Sequence, residues 1–167
     1  GLKDLNFLDV QFHIDFQRKK EYTDNGFDDI EYEISTNPGE SVKPLGRIVS
    51  GGELSRIMLA IKAILADRDQ IETLIFDEID TGISGITAGK VGDRLRLIGK
   101  SRQVICITHL PQIAATADHH FLIRKKAEGT SVRTDVEMLD EAASVEELAR
   151  LLGGAKITDT VIQNARE

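Results

Sequence analysis

The sequence is poor in several things. It has one cysteine, Cys106, in 167 residues, and no tryptophan. A single thiol excludes an intramolecular disulfide framework and any zinc site built on several thiolates. No apolar run reaches the ~18 residues of a membrane-spanning helix, and no secretory signal opens the chain. The expected compartment is therefore cytoplasmic, with no membrane partner. Positive charge is in the minority: 21 Lys+Arg against 28 Asp+Glu leave a formal charge of −7. That balance excludes a wholly basic nucleic-acid-binding module. Two local basic runs remain, Arg18-Lys19-Lys20 and Arg124-Lys125-Lys126, although runs this short are usually solvated faces. There is no internal repeat and no low-complexity segment.

What is present fits one soluble α/β domain over residues 1–167. The hydrophobic share is 41%, normal for a globular chain, and the length suffices to bury a core. Residues 9–16 alternate, with Val10, Phe12, Ile14 and Phe16 on one face, as in a half-buried strand. Residues 27–34 read as a second strand, reached through a polar connection that turns at Asn25-Gly26. Two of the three prolines fall within 35–46, which reads as loop. Leu54, Ile57, Met58, Ile61, Ile64 and Leu65 recur at helical spacing, predicting a helix over about 52–67. The apolar runs 71–76 and 103–108 read as buried parallel strands, with a helix over about 86–98 between them. A short helix follows Pro111. A hairpin is expected over 120–126 and 131–139, turning at Glu128-Gly129, then helices over 144–152 and 158–166. The centre is thus a parallel α/β core with antiparallel ends.

Three segments carry chemistry. Ser50-Gly51-Gly52-Glu53 opens the long helix. Ser50 and Glu53 fit a capping box, which is reason enough for them structurally. The two glycines add something else, because glycine is costly inside a helix but permits close backbone approach. Free N–H groups at a helix N-terminus attract anions, and Ser50 adds a hydroxyl. In the second segment, Leu74-Ile75-Phe76 runs into Asp77-Glu78 at the carboxyl end of a strand, where open α/β sheets place ligands. Asp77 suits Mg²⁺, which takes few carboxylates and keeps its waters. Glu78, pointing the other way in an extended strand, suits a base acting on water. The alternative is that strand ends are simply polar. In the third segment, Val104 to Thr108 leads to His109 at the same sheet edge, one strand along. A histidine there is either structural or functional. Cys106, inside that strand, reads as an apolar filler. The chain lacks a P-loop. The nearest miss, residues 84–91, has Ser84 and Val91 where the motif needs Gly and Ser or Thr, and it falls in a predicted helix. His119-His120 has no partner spacing for a metal.

In this order and at these separations, the segments resemble the C-terminal half of an ABC-type ATPase head. Ser50-Gly51-Gly52-Glu53 resembles the signature. Leu74 to Glu78 resembles Walker B with its following glutamate. Residues 80–85 (DTGISG) take the D-loop position, and His109 that of the switch histidine. The runs NPGE (37–40), SGGELSRIMLAIK (50–62), FDEIDTGISG (76–85), ITHLPQIA (107–114) and ELARLLGG (147–154) narrow the resemblance to DNA-repair members of the SMC-like branch. The signature begins with Val49 where many relatives have Leu, and has Glu53 in place of Gln. Ser84 stands where most D-loops have Asp, leaving either Asp80 or Ser84 for the contact across a head dimer.

The resemblance implies a bacterial, nucleoid-associated parent whose Walker A lobe and long coiled coil precede this lobe. It implies ATP and Mg²⁺ as cofactors, with Asp77 on the metal and Glu78 and His109 catalytic. Ser50, Gly51, Gly52 and Glu53 would face nucleotide held by a second head, in an ATP-dependent homodimer. It implies DNA double-strand break ends as partner of the whole protein, and an isolated lobe that is inactive. Two other readings stand beside it. One is a transporter nucleotide-binding subunit, whose Walker A would lie close upstream of the signature; residues 1–48 contain none. The other is a non-catalytic clamp or DNA-bridging lobe.

Overall fold

The structure, a computed structural model, describes residues 2–5, 7, 9–47, 50–65, 70–128, 131–154 and 158–166. The chain forms two compact units, residues 1–107 and 108–167.

In the first unit, β1 (Gln11–Thr23) and β2 (Gly26–Ser35) form an antiparallel hairpin. Phe12 faces Ile34 across the ladder, Ile14 faces Tyr32 and Phe16 faces Ile30. Gly26 closes the turn at φ +100°, a backbone setting open to glycine. Two expectations are corrected here. β1 runs on through Arg18–Thr23, most of the stretch expected as a connection, with Arg18 opposite Asp28 and Thr23 opposite Gly26. The register shifts between Arg18 and Thr23. The apolar face of β1, expected to be half-buried, is largely open, with Phe16 64% exposed. The loop expected over 35–46 also holds a short strand, β3 (Lys43–Pro44), on the edge of β2, and a 3₁₀ turn begins at Leu45. An edge is where a sheet tolerates proline.

α1 (Gly51–Ile64) follows, buried through Gly52, Arg56, Ile57 and Leu59. Of the last residues expected in this helix, 66 and 67 lie outside the described residues. β4 (Thr73–Phe76) and β5 (Gln103–Cys106) pair in parallel, Leu74 beside Val104 and Phe76 beside Cys106. α2 (Gly85–Gly99) joins them. This is the expected crossover. Leu74 and Phe76 alternate inward along β4, and Ile57, Leu59, Val91 and Ile98 are buried on the helices. Each such side chain contributes roughly 1.5–3 kcal/mol on burial. The opposite face of the strand pair carries Ile75, Ile105 and Ile107 and is exposed, Ile75 by 68%.

In the second unit, α3 (Pro111–Ala114) is started by proline at its first turn. β6 (Phe121–Glu128) and β7 (Ser131–Met138) form the expected antiparallel hairpin. Gly129 of its turn lies outside the described residues. α4 (Glu141–Gly153) is capped by Asp140, whose Oδ1 accepts from the Ala143 N–H at 2.8 Å. α5 (Asp159–Arg166) packs on it, with Val161 against Gly153. Among the described residues of this unit, Pro111, Ile113, Leu148 and Ala149 are the buried apolar side chains. Among the described residues, no helix is long and apolar enough to cross a membrane.

Candidate functional site

The first unit folds the signature-like and acidic segments onto each other. Ser50 is the extended N-cap of α1, and its Oγ accepts from the Glu53 N–H at 3.4 Å. That is one half of the capping box. Val49 lies outside the described residues. Beyond β4 the chain turns sharply. Asp77 Oδ1 accepts from the Glu78 N–H at 2.9 Å. The Thr81 N–H donates to the Glu78 carbonyl at 3.1 Å. Glu78 has φ +56°, and it is the only non-glycine residue with positive φ among the described residues. That left-handed setting costs about 1–2 kcal/mol for a side chain of this kind. This corrects the expectation of an extended Asp77-Glu78 pair: the strand ends at Phe76, and the turn, not strand alternation, sets the two acids apart.

The two glycines are explained by what they touch. A Cβ on Gly51 would collide with the Glu78 carboxylate. A Cβ on Gly52 would stand 2.9 Å from the Glu78 carbonyl oxygen and 2.9 Å from both Cβ and O of Thr81. The helix N-terminus therefore lies directly on the Glu78–Thr81 turn. Further along α1, Ser55 Oγ donates to the Asp77 carbonyl at 2.8 Å. Arg56 Nη1 donates to the carbonyls of Ile79 at 3.2 Å and Thr81 at 2.8 Å. Arg56 is 4% exposed, and burial pulls its guanidinium below its ordinary pKa while Glu53 pushes it back. Sequence reading missed Ser55, Arg56 and Thr81. The available signal was a charged residue at i+4 from Gly52, inside the buried stripe that continues to Leu59.

A cleft of about 320 Å³ opens beside this junction, lined by Phe7, Thr36, Asn37, Ser50, Glu53, Arg56, Thr81 and Gly82. The NPGE run supplies its Asn37 wall through a turn, with Gly39 at φ +78° and the Glu40 N–H donating to the Asn37 carbonyl. Asp80 is buried, 5% exposed, whereas Ser84 is exposed at the N-cap of α2. Burial pushes the Cys106 thiol up to about 12, with the charges of Asp80 and then Asp77 adding to it. Cys106, expected as a buried filler, is only half-buried, and its raised pKa makes it a poor nucleophile.

His109 belongs to the second unit, exposed just before α3. Next to it the Leu110 N–H donates to Thr108 Oγ1 at 3.1 Å. His120 Nε2 bonds the Ala114 carbonyl at 2.8 Å, a structural use for one of the paired histidines. Both basic runs are partly engaged: Arg18 stacks over Phe27, Lys19 pairs with Asp29 at 3.8 Å, and Lys126 pairs with Asp135 at 3.0 Å.

These residues fit one side of a phosphate–magnesium site. The glycine-opened N-terminus of α1 lies against the Glu78 carboxylate, Asp77 and Glu78 are both exposed, and a metal that keeps its waters needs no more than one or two carboxylates. Among the described residues there is no cluster of three or more His, Cys, Asp or Glu of the kind transition metals use.

No family model matches the chain. Individual relatives do. The chain is 46% identical over 160 residues to DNA repair protein RecN of Halalkalibacterium halodurans, covering 96% of the chain and 28% of that relative. It is 42% identical over 168 residues to DNA repair protein RecN of Vibrio cholerae, covering all of the chain and 30% of the relative. Over its length the chain is RecN-like. It spans less than a third of these curated relatives. Among solved structures, it superposes on the Smc head domain from Pyrococcus yayanosii with TM-score 0.58 at 22% identity, covering 92% of the RecN-like chain and 27% of that one. The Smc head domain from Pyrococcus furiosus, solved with the C-terminal domain of ScpA, gives 0.53 at 22% identity, covering 88% and 35%. The RecN-like chain therefore has an α/β fold shared with Smc head domains.

Proposed function

We propose that residues 1–167 are the C-terminal lobe of an ABC-type ATPase head, in a RecN-like protein that hydrolyses ATP during repair of DNA double-strand breaks. The observation that carries this reading is the junction of Gly51 and Gly52 with Glu78. Two segments distant in the chain are fitted so closely that a Cβ on Gly51 would meet the Glu78 carboxylate and a Cβ on Gly52 the backbone of Glu78 and Thr81. Capping alone needs no such fit.

Asp77 holds Mg²⁺ through its exposed carboxylate, and the ion supplies neutralisation of phosphate charge. Glu78 orients the attacking water and takes its proton. The N–H groups of the first turn of α1 and the Ser50 hydroxyl receive the γ-phosphate held by a second head, as fixed donors where charge develops. The Glu53 N–H, bonded to Ser50 Oγ, helps hold that turn in place. His109, in the switch-histidine position of the motif order, hydrogen-bonds the γ-phosphate that its own head holds. The burial of Asp80 and the exposure of Ser84 support Ser84 as the D-loop residue that meets the other head. The Walker A lobe of the same protein, DNA ends and a second copy of the head are the partners, in the bacterial cytoplasm.

The test is Ser50→Arg in the full-length protein. A bulky cation at the N-cap blocks the approach of the second head, so ATP-driven dimerisation should vanish while nucleotide binding to single heads persists. Dimerisation at the wild-type level, followed by light scattering, would contradict the role given to Ser50.

A further inference from the structure

Arg56 is an expensive way to fill its position. Among the described residues its guanidinium is buried with no carboxylate in ion-pair contact, only the charge of Glu53 nearby, its Nε finds no hydrogen-bond acceptor, and its Cζ lies 5.6 Å from the Phe7 ring centroid. An apolar side chain of similar volume would avoid that desolvation. What Arg56 provides and an apolar side chain does not is a charged donor, Nη1, shared between the Ile79 and Thr81 carbonyls. Its neighbour Ser55 donates to the Asp77 carbonyl. One helix thereby holds the backbone immediately before and shortly after Glu78, the residue in the left-handed setting. Strained conformations of this kind persist only where surrounding contacts over-determine them.

We infer that Ser55 and Arg56 are positioning residues for Glu78: they clamp the Asp77–Thr81 backbone to α1, so that the placement of the Glu78 carboxylate is set by the helix that begins at Ser50. Displacement of α1 by anything bound at its N-terminus is passed to Glu78 through three hydrogen bonds. Engagement by a second head then regulates the base directly. The inference rests on the role proposed above for Glu78.

The test uses the full-length protein with Arg56→Met, Ser55→Ala, Glu78→Gln and the doubles with Glu78→Gln. Methionine keeps volume and removes the donors, so the melting temperature should hold or rise. The kcat for ATP should fall about 10- to 100-fold, the scale of a misplaced reacting group, with KM within about twofold. Ser55→Ala, a change on the helix surface, should lower kcat about threefold or more by the same route. Because both act through Glu78, neither should slow the Glu78→Gln protein further. Wild-type kcat in Arg56→Met and Ser55→Ala, or full multiplication of their effects with that of Glu78→Gln, overturns the inference while leaving the base assignment standing. Near-normal turnover in Glu78→Gln overturns both. If Arg56→Met does not fold, Ser55→Ala and its double decide alone.

Discussion

Gly52 and Thr81 are in such close approach that a methyl group at position 52 would stand 2.9 Å from the Thr81 carbonyl oxygen. The obstacle is backbone, joined by the Glu78 carbonyl at the same distance, so it cannot swing aside. Gly52→Ala should therefore destabilise the fold by about 1–3 kcal/mol, the usual cost of overpacking, despite the better helix propensity of alanine. Denaturant unfolding measures it; stability equal to or above wild type would contradict the close approach.

Gly51→Ala should behave differently. Its Cβ would meet only the far end of the Glu78 side chain, which can move. Stability should change by less than about 0.5 kcal/mol, as at an ordinary surface site. ATP turnover by the full-length protein should nevertheless fall, because the carboxylate is pushed from its place. Equal defects in stability for the two alanine variants would contradict the distinction.

Cys106 should be inert. With its thiol raised from an ordinary 9.0 to about 12, little thiolate forms below pH 9, and alkylation of the native chain should lag far behind that of the unfolded chain. The linkage has a definite sign. The unfolded chain releases this proton first, so it binds fewer protons, and stability falls as pH rises from about 9 towards about 12. Cys106→Ala should remove that component of the slope; rapid alkylation of the native thiol at pH 8 would refute the raised pKa.

The chain alone should neither hydrolyse ATP nor bind it tightly. The backbone cradle and lysine of a P-loop supply most phosphate contacts, and no such motif occurs in these 167 residues. Micromolar ATP binding to this chain by calorimetry would contradict the expectation.

Much of this was legible in the sequence because it is periodic. Ile57, Met58, Ile61 and Ile64 mark α1, and two short apolar runs ending in polar residues mark β4 and β5. The extension of β1 through Arg18-Lys19-Lys20 was not legible, since these charged residues carry no apolar alternation to mark a strand. Nor was the exposure of Phe16 and Tyr32, because alternation marks an apolar face without saying what covers it. The candidate residues at Ser50–Glu53 and Asp77–Glu78 stood out by type and spacing. Their junction, the left-handed Glu78 and the clamp by Arg56 did not. Each depends on tertiary contacts between segments, and a lone arginine in an apolar stripe reads as an interruption until its acceptors are seen.

The central claim is most directly tested by the adjacent acids in the full-length protein. Glu78→Gln keeps size and hydrogen bonding but loses basicity. It should leave ATP binding and dimerisation intact and lower turnover by roughly 10²–10⁴, the range for a general acid–base residue, so that the ATP-bound dimer accumulates. Asp77→Asn should instead weaken Mg²⁺-dependent nucleotide binding. Measured together as nucleotide affinity, turnover and dimer fraction, these separate outcomes are what the account predicts. Near-normal turnover in Glu78→Gln, or identical defects in the two variants, would contradict it.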